Sequence, residues 1–210
     1  MKIVILGAAG QIARQLTERL LHESNDTITL FARNAQKRLN EYQNNGRVTI
    51  VDGDFSDEPL LHRIIQGQDI VFVDSDRNMS PIIAAMKATG VQRLIIAGAL
   101  GIYNEVSGAF GEWNRSMMGP VPLWRQKMIH DVENYGLDYT YMRMTWLYNE
   151  KDNTSYATTQ KGEPFIGAQI TRQAVVQYIL DLLANPQRDL KASVGIYEPG
   201  SEKMAKPSFY

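Results

Sequence analysis

Short runs of apolar, often β-branched residues alternate along the chain with longer stretches in which apolar residues recur at helical spacing. The runs predict strands, and the spaced stretches predict helices. The predicted strands cover residues 3–6, 27–31, 48–51, 70–73, 94–97 and 137–142. The predicted helices cover residues 11–22, 59–66, 81–89, 121–135 and 172–184. Because the strands are apolar throughout and helices separate them, the pattern predicts an α/β fold with a parallel sheet.

The connections between these elements predict how the sheet is wound. Right-handed crossovers place helices on both faces, so we expect a Rossmann-type doubly wound sheet in a single domain over residues 1–210. Residues 103–122 show no clean period and are expected to form an irregular loop. Together with residues 144–170, this loop is expected to supply acceptor-side elements inserted at the carboxyl edge of the sheet, where open α/β sheets bind ligands.

The composition limits the partners of the protein. The chain has 210 residues, 44% of them hydrophobic, and its 22 basic and 23 acidic residues give a net charge of −1. This balance predicts a small-molecule partner and gives no support for binding to nucleic acid or to a membrane. The chain has no cysteine, which fits a reducing compartment and excludes thiolate chemistry. Because the chain has no apolar run of membrane-spanning length, we expect a cytoplasmic protein. We expect it to be a monomer or a homodimer.

A glycine-rich segment, GAAGQIA at residues 7–13, follows the first predicted strand and opens the first predicted helix. Its first glycine permits a tight turn, its second leaves room for a pyrophosphate, and its last alanine lets helix and strand pack closely. Backbone amides and the helix dipole stabilise the bound anion. The predicted cofactor-binding residues of this segment are Gly7, Ala9, Gly10, Gln11 and Ile12. The alternative is a strand-to-helix turn that needs glycine for its geometry alone.

The end of the second predicted strand indicates which dinucleotide is bound. NAD enzymes place a carboxylate here on the ribose 2′-hydroxyl, but residues 27–40 contain no acid. Arg33 is instead predicted to attract a 2′-phosphate, with Lys37 and Arg38 nearby, so NADP(H) is favoured over NAD(H). The alternative is that all three cations are solvated on a loop or an outer helix face. Asp54, after the third strand, is predicted to accept the adenine amino group or to serve only the local turn.

These motifs resemble those of the atypical short-chain dehydrogenases of the NmrA-like and NAD(P)H-binding group. That group includes quinone reductases, flavin reductases and redox-sensing regulators. The resemblance spans nearly the whole chain and rests on GAAGQIA, FARN, GDF, VQRLII followed by GIY, and GLDYTYMR followed by WL. It implies a Rossmann fold that binds NAD(P)H.

The resemblance also identifies two catalytic positions that this chain does not keep. The serine that usually precedes Tyr103 by four residues is Ala99, and the tyrosine of the group's YxxxK pair falls on Leu123. The lysine of that pair falls on Lys127, which the resemblance implies holds the nicotinamide ribose; the alternative is a solvated helix lysine. Without a tyrosine or serine proton donor, reduction of a simple carbonyl is disfavoured. A conjugated acceptor delocalises the charge itself and takes its proton from solvent.

Two functions follow from this reasoning. The first is an oxidoreductase that transfers hydride from NADPH to a quinone-like, flavin or other conjugated small acceptor. The second is a non-catalytic NADP(H)-sensing regulatory protein that acts through a protein partner. Turnover of NADPH separates the two.

Aromatic residues follow the fifth and sixth predicted strands. Phe110, Trp113 and Trp146 are predicted to line the acceptor site, and Tyr103 is the candidate donor to a bound carbonyl. The alternatives are that the aromatic residues close the domain's own core or pair with another subunit, and that the Tyr103 hydroxyl orients a turn. Arg143, at the end of an apolar strand, is expected to make a buried structural contact.

Two carboxylates, Asp74 and Asp76, follow the fourth predicted strand, where the group that the chain resembles has small neutral residues. They are expected to bond a ribose, to cap the next helix or to be solvated. No metal site is predicted, because all three histidines are expected to lie on the surface of predicted helices. These histidines are His22, His62 and His130.

Overall fold

The computed structural model describes all residues from 1 to 210. Its strands are β1 (Lys2–Leu6), β2 (Thr27–Ala32), β3 (Val48–Asp52), β4 (Ile70–Val73), β5 (Arg93–Ala99), β6 (Asp138–Met144), β7 (Trp146–Tyr148), β8 (Ala157–Thr159), β9 (Gln169–Thr171) and β10 (Ala192–Tyr197). Eight of them form one sheet in the order β3-β2-β1-β4-β5-β6-β10-β8, and β7 pairs with β9 separately. The sheet is mostly parallel, with β8 antiparallel to β10 at the edge.

Seven α-helices accompany these strands: α1 (Gln11–Glu23), α2 (Ala35–Arg38), α3 (Glu58–Ile65), α4 (Met79–Thr89), α5 (Gly108–Met118), α6 (Leu123–Asn134) and α7 (Arg172–Ala184). All six predicted strands and all five predicted helices are present, and no end is displaced by more than two residues. The order of the first six strands of the sheet is that of a doubly wound dinucleotide-binding fold. The predicted Rossmann-type α/β architecture is therefore confirmed.

The prediction of an irregular loop over residues 103–122 is wrong, because α5 occupies the middle of that segment. Two glycines weakened the helical pattern there. Gly111 lies inside the helix, where a Cβ would come within 2.7 Å of the Val106 carbonyl oxygen. This glycine therefore allows close packing of the helix and is not a sign of a loop.

The sequence pattern also missed several short elements. The strands β7, β8 and β9 have three residues each, and α2 has four. Periodicity cannot be detected over so few residues. The six-residue strand β10 was missed as well, although five of its six residues are buried.

The chain groups into two compact units, and the first comprises Met1–Ile96 and Asp131–Tyr139. In this unit β1 and β4 are neighbours, and their central residues are buried on both faces of the sheet. The helix α1 packs through Ile12, Leu16 and Leu20, which are at most 4% exposed and recur at four-residue spacing. The strand order reverses between β1 and β4, and such a reversal opens a crevice at the carboxyl ends of the two strands.

The second unit comprises Ala97–His130 and Thr140–Tyr210. Thr171 caps the N-terminus of the helix α7, because its hydroxyl accepts a hydrogen bond from the Ala174 amide at 3.0 Å. A core cluster joins α5 to later segments of this unit and consists of Val106, Phe110, Phe165, Ala168 and Tyr197. Across the whole chain, no helix is both long and apolar enough to cross a membrane.

Candidate functional site

The glycine loop connects β1 to α1 by a tight turn. Gly7 has a φ of +82°, in the left-handed region that favours glycine. The amides of Gly7 and Ala8 both donate to the Phe31 carbonyl, at 2.9 and 3.0 Å, and the Gly10 amide donates to the Gly7 carbonyl at 2.9 Å. Because Gly10 is the N-cap of α1, no side chain of its own covers the first-turn amides.

A carboxylate from the neighbouring strand lies against this loop. Asp74 follows β4, and its Oδ2 atom accepts a hydrogen bond from the Ala13 amide at 3.2 Å. A Cβ atom at Gly10 would clash with that oxygen and lie 2.9 Å from the Asp74 Cγ atom. Gly10 therefore makes room for an aspartate as well as for any phosphate.

A cleft of about 310 Å³ opens beside the loop. Residues from the carboxyl ends of β1, β2, β3 and β4 line it, as the strand reversal predicts. Its lining residues include three arginines, Arg33, Arg38 and Arg77, and one acidic residue, Asp54. Phe55 adds an aromatic ring. Among the residues that line the cleft, cations therefore outnumber anions, which suits a phosphate.

Arg33 and Asp54 are exposed and only loosely paired. The Nε atom of Arg33 lies 3.8 Å from an Asp54 oxygen, and the two side chains are 76% and 51% exposed. The other Asp54 oxygen accepts hydrogen bonds from the amide and the hydroxyl of Ser56, at 3.0 and 2.9 Å. These bonds lower the pKa of Asp54 below its usual value, and Arg33 lowers it less. Most of the carboxylate's bonding therefore goes to its own turn, which leaves Arg33 available to a ligand.

A second carboxylate, Asp52 at the end of β3, is used to shape the chain after β2. Its carboxylate accepts hydrogen bonds from the amides of Asn34 and Ala35, at 3.2 and 2.8 Å, and so caps the short helix α2. Asn34 has a φ of +54°, in the left-handed region. This turn carries Arg33 into the cleft.

The Ala9 carbonyl joins the glycine loop to two helices. It accepts from Arg14 of α1 and from Arg38 of α2, each at 3.4 Å. Arg14 also donates to the Arg38 carbonyl and pairs with Glu41. The Arg38 guanidinium donates further to the Arg33 carbonyl at 3.4 Å. The loop and the residues after β2 are thereby held together around the cleft.

The structure brings four of the predicted cofactor residues to the cleft: Gly7, Ala9, Arg33 and Asp54. Gly10, Gln11 and Ile12 continue the same loop into α1. Lys127 lies on α6 in the second unit, and its side chain is exposed.

Arg38 and Arg77 were not among the predicted site residues, yet both line the cleft. Arg38 was expected near Arg33 as part of the same basic segment but was not singled out as a site residue, and Arg77 was overlooked. The position of Arg77 after β4, the strand next to β1, was the available sign, because the carboxyl ends of neighbouring parallel strands share an edge.

The predicted acceptor residues lie together in the second unit. Trp113 packs on Trp146 with ring centroids 4.9 Å apart, and Tyr210 contacts both rings at 5.2 and 5.0 Å. Phe110 stacks on Trp113 at 6.1 Å but is only 4% exposed, so it belongs to the core of that unit. The Trp146 indole donates to the Asn114 side chain at 2.9 Å. The structure thus assembles one aromatic group, formed by Phe110, Trp113, Trp146 and Tyr210.

Tyr103, the candidate proton donor, is bordered by two cations. The Lys161 ammonium lies 4.5 Å from its ring centroid and the Arg143 guanidinium 5.6 Å. Its backbone amide donates to Glu105 at 2.9 Å. Both cations favour the electron-rich face of the ring, and this contact orients the side chain.

A polar group that sequence reasoning missed surrounds Tyr148. Its hydroxyl donates to Glu198 at 2.6 Å and lies 3.2 Å from Glu150. Burial and both carboxylates raise the pKa of Tyr148, so the phenol stays protonated. Gln169 also donates to Glu198, at 3.2 Å. No group of three or more acidic or histidine residues in the chain is arranged to hold a metal ion.

Comparison with protein families identifies what this chain is similar to. The model of the NAD(P)H-binding family matches residues 7–186, which begin at the glycine loop and end just beyond α7. No curated protein sequence matches the chain.

Solved structures agree with the family. A short-chain dehydrogenase/reductase from Veillonella parvula in complex with NADP is 32% identical, with a TM-score of 0.90 over 99% of both chains. A Rossmann-fold NAD(P)-binding family protein from Shigella flexneri is also 32% identical, with a TM-score of 0.80 over 100% of this chain and 98% of that one. ChuY, an anaerobilin reductase from Escherichia coli O157:H7, shares the fold at 18% identity, with a TM-score of 0.74 over 95% and 98% of the two chains.

Proposed function

Because this chain belongs to the NAD(P)H-binding family of atypical short-chain dehydrogenases/reductases, we propose that it is an NADPH-dependent reductase of quinone-like, flavin or other conjugated small acceptors. The observation that carries the proposal is the cleft beside the glycine loop, which three arginines help to line. When bound, NADPH supplies the hydride of its nicotinamide ring. The acceptor receives two electrons and one proton with that hydride, and takes a second proton from water.

The residues present fit a dinucleotide with a 2′-phosphate. The first-turn amides of α1 and the glycine loop would hold the pyrophosphate. Arg33, Arg38 and Arg77 would hold the 2′-phosphate. Asp52 and Asp54 lie nearby and repel the 2′-phosphate only weakly, because both carboxylates are already bonded within the protein. Asp52 accepts a hydrogen bond from the Ala35 amide of α2, and Asp54 accepts one from the Ser56 amide. This arrangement supports a preference for NADPH over NADH.

The residues of this chain would bind and orient the dinucleotide and the acceptor, and they would not donate the proton. Ala99 and Leu123 replace the serine and tyrosine of related enzymes, and Leu123 is 81% exposed. A conjugated acceptor is therefore favoured, because its charge is delocalised before protonation. Lys127 would hold the nicotinamide ribose. The aromatic group of Trp113, Trp146 and Tyr210 would bind a flat apolar acceptor.

The test has two stages. Calorimetry should first show that NADPH binds the purified full chain more tightly than NADH does. NADPH oxidation should then be followed with a panel of benzoquinones, naphthoquinones and free flavins. Turnover with one member supports the reductase, and binding without turnover across the panel would replace it with the non-catalytic NADP(H)-sensing protein. If neither dinucleotide binds, both functions are wrong.

A further inference from the structure

Asp74 contacts the glycine loop along its length. Its backbone amide donates to the Leu6 carbonyl at 2.9 Å, which extends the pairing of β4 with β1 to the edge of the loop. A Cβ atom at Gly7 would lie 3.5 Å from the Asp74 Cβ atom. The carboxylate then reaches past Gly10 to the Ala13 amide in the first turn of α1. It thus fills the space that the missing side chain of Gly10 leaves open.

This space is where the loop offers its positive potential. The first amides of a helix have no carbonyl partner within the helix, and together they carry the positive end of the helix dipole. A pyrophosphate bound at such a loop depends on that potential. Asp74 already places one negative charge there, and a pyrophosphate would bring two more. Like charges at a few ångströms repel even where solvent has partial access.

The hydrogen bond to Ala13 does not itself require the charge. An asparagine side chain at position 74 has the same shape and offers an amide oxygen to the same amide. The negative charge is therefore separable from the structural contact.

From these contacts we infer that the charge of Asp74 weakens the binding of a pyrophosphate at the glycine loop and so lowers the affinity of the protein for dinucleotides. This inference rests on the proposed function. Dinucleotide affinity then depends on the second anchor, the 2′-phosphate contact with Arg33, Arg38 and Arg77. NADH lacks that phosphate and has only the weakened anchor. The penalty at the loop falls on both dinucleotides alike, so any preference for NADPH comes from the arginines.

The direct test compares Asp74→Asn with a matched control. Asp57→Asn is that control, because Asp57 also bonds a first-turn amide, that of Leu60 in α3 at 3.0 Å, and does not line the cleft. Two ligands are titrated by calorimetry: NADPH, and adenosine 2′-monophosphate, which lacks the pyrophosphate. Asp74→Asn should lower the Kd for NADPH about tenfold, the effect of one like-charge contact of about 1.4 kcal/mol. Its affinity for adenosine 2′-monophosphate should be unchanged, as should both affinities of Asp57→Asn.

Several results would overturn the inference. An unchanged or higher Kd of Asp74→Asn for NADPH means that the carboxylate is neutral or is itself a cofactor ligand. Equal tightening of both ligands means a general charge effect and no action at the pyrophosphate. If Asp74→Asn does not fold, as judged by thermal unfolding, Asp74→Ala is used with the same expected direction. Failure of NADPH to bind the unmodified protein refutes the proposed function, whereas normal binding with no effect at position 74 refutes only this inference.

Discussion

Arg143 and Glu105 form an ion pair at 3.0 Å with side chains only 0% and 5% exposed. The second guanidinium nitrogen of Arg143 donates to the carbonyls of Thr159 and Ser193, each at 3.2 Å. The Glu105 carboxylate accepts hydrogen bonds from the amides of Gly101 and Tyr103, each at 2.9 Å. The pair therefore fixes the segment after β5 by satisfying backbone groups as well as by charge. The expectation of a buried structural role for Arg143 is confirmed.

Breaking this pair should cost much more stability than breaking an exposed one. Glu105→Gln leaves the Arg143 charge buried without its partner, so the free energy of unfolding should fall by about 3–5 kcal/mol. Glu23→Gln is the control, because its pair with Arg19 is exposed and should change stability by less than about 1 kcal/mol. Urea titration followed by circular dichroism measures both. Equal losses in the two variants would contradict a special role for the buried pair.

Cofactor preference should depend on Arg33. Arg33→Ala removes a charge-assisted contact of about 1.5–3 kcal/mol to the 2′-phosphate. NADH has no 2′-phosphate, so its binding does not depend on that contact. The ratio of the Kd for NADH to that for NADPH should therefore fall about tenfold or more. Calorimetry with both dinucleotides gives the ratio.

Lys37→Ala is the matched control for Arg33→Ala. Lys37 belongs to the same basic segment, but it does not line the cleft. The Kd ratio of this variant should stay close to that of the unmodified protein. An unchanged ratio in Arg33→Ala would show that the 2′-phosphate is held elsewhere or that NADPH is not preferred.

A methyl group at Gly10 should disturb the loop because of Asp74. Gly10→Ala places its Cβ against the Asp74 carboxylate, so it should lower stability by about 1–3 kcal/mol and weaken NADPH binding. Gly46→Ala is the control, since nothing lies within 4 Å of its added Cβ. Adding Asp74→Ala to Gly10→Ala should restore most of the lost stability. If the double variant is as unstable as Gly10→Ala alone, the strain has another source.

Stability should fall at alkaline pH because of buried tyrosines. Burial, with Glu133 nearby, raises the pKa of Tyr139 to about 12, and burial also raises the pKa of Tyr42 to about 12. Unfolding returns each phenol to its usual pKa near 10, so between pH 10 and 12 the unfolded chain holds fewer protons than the folded one. The free energy of unfolding must then decrease as pH rises, by up to about 1.4 kcal/mol per pH unit for each phenol.

Tyr139→Phe isolates one of these phenols. The variant keeps the ring and removes the titrating hydroxyl, so its stability should decline less steeply than that of the unmodified protein above pH 10. Tyr135→Phe serves as the control, because Tyr135 is 39% exposed. Guanidinium titrations at pH 9 and pH 11 give the two slopes. A Tyr139→Phe slope equal to that of the unmodified protein would contradict the assignment.

The sequence predicts the first unit well because most residues of β1, β2 and β4 are buried. A parallel strand such as β4, with four consecutive buried residues, appears as an uninterrupted apolar run between helices. The helix α7 was predicted with both ends correct, because Thr171 precedes it and Asn185-Pro186 follows it. In the second unit the short strands β7, β8 and β9 carry no such pattern, and tertiary pairing alone defines them.

The sequence alone does not show which residues of the candidate site are neighbours in space when they are far apart along the chain. The loop glycines and Arg33 were found because each lies next to a recognisable strand end. The contact of Asp74 with Ala13 spans 61 residues of sequence, and only the adjacency of β1 and β4 produces it. Arg77 reaches the cleft for the same reason. The aromatic residues after β5 were correctly placed near each other, but their packing with Tyr210 had no local sign.

The Ala9 carbonyl, which accepts hydrogen bonds from two arginines, affects which substitutions the glycine loop can tolerate during evolution. Two arginines on separate helices bond the same carbonyl, so losing either one leaves the loop attached by the other. Mutations at positions 14 and 38 can then be fixed one at a time in a lineage. Because position 38 also borders the cleft, a substitution there can alter the cleft while Arg14 keeps the loop in place.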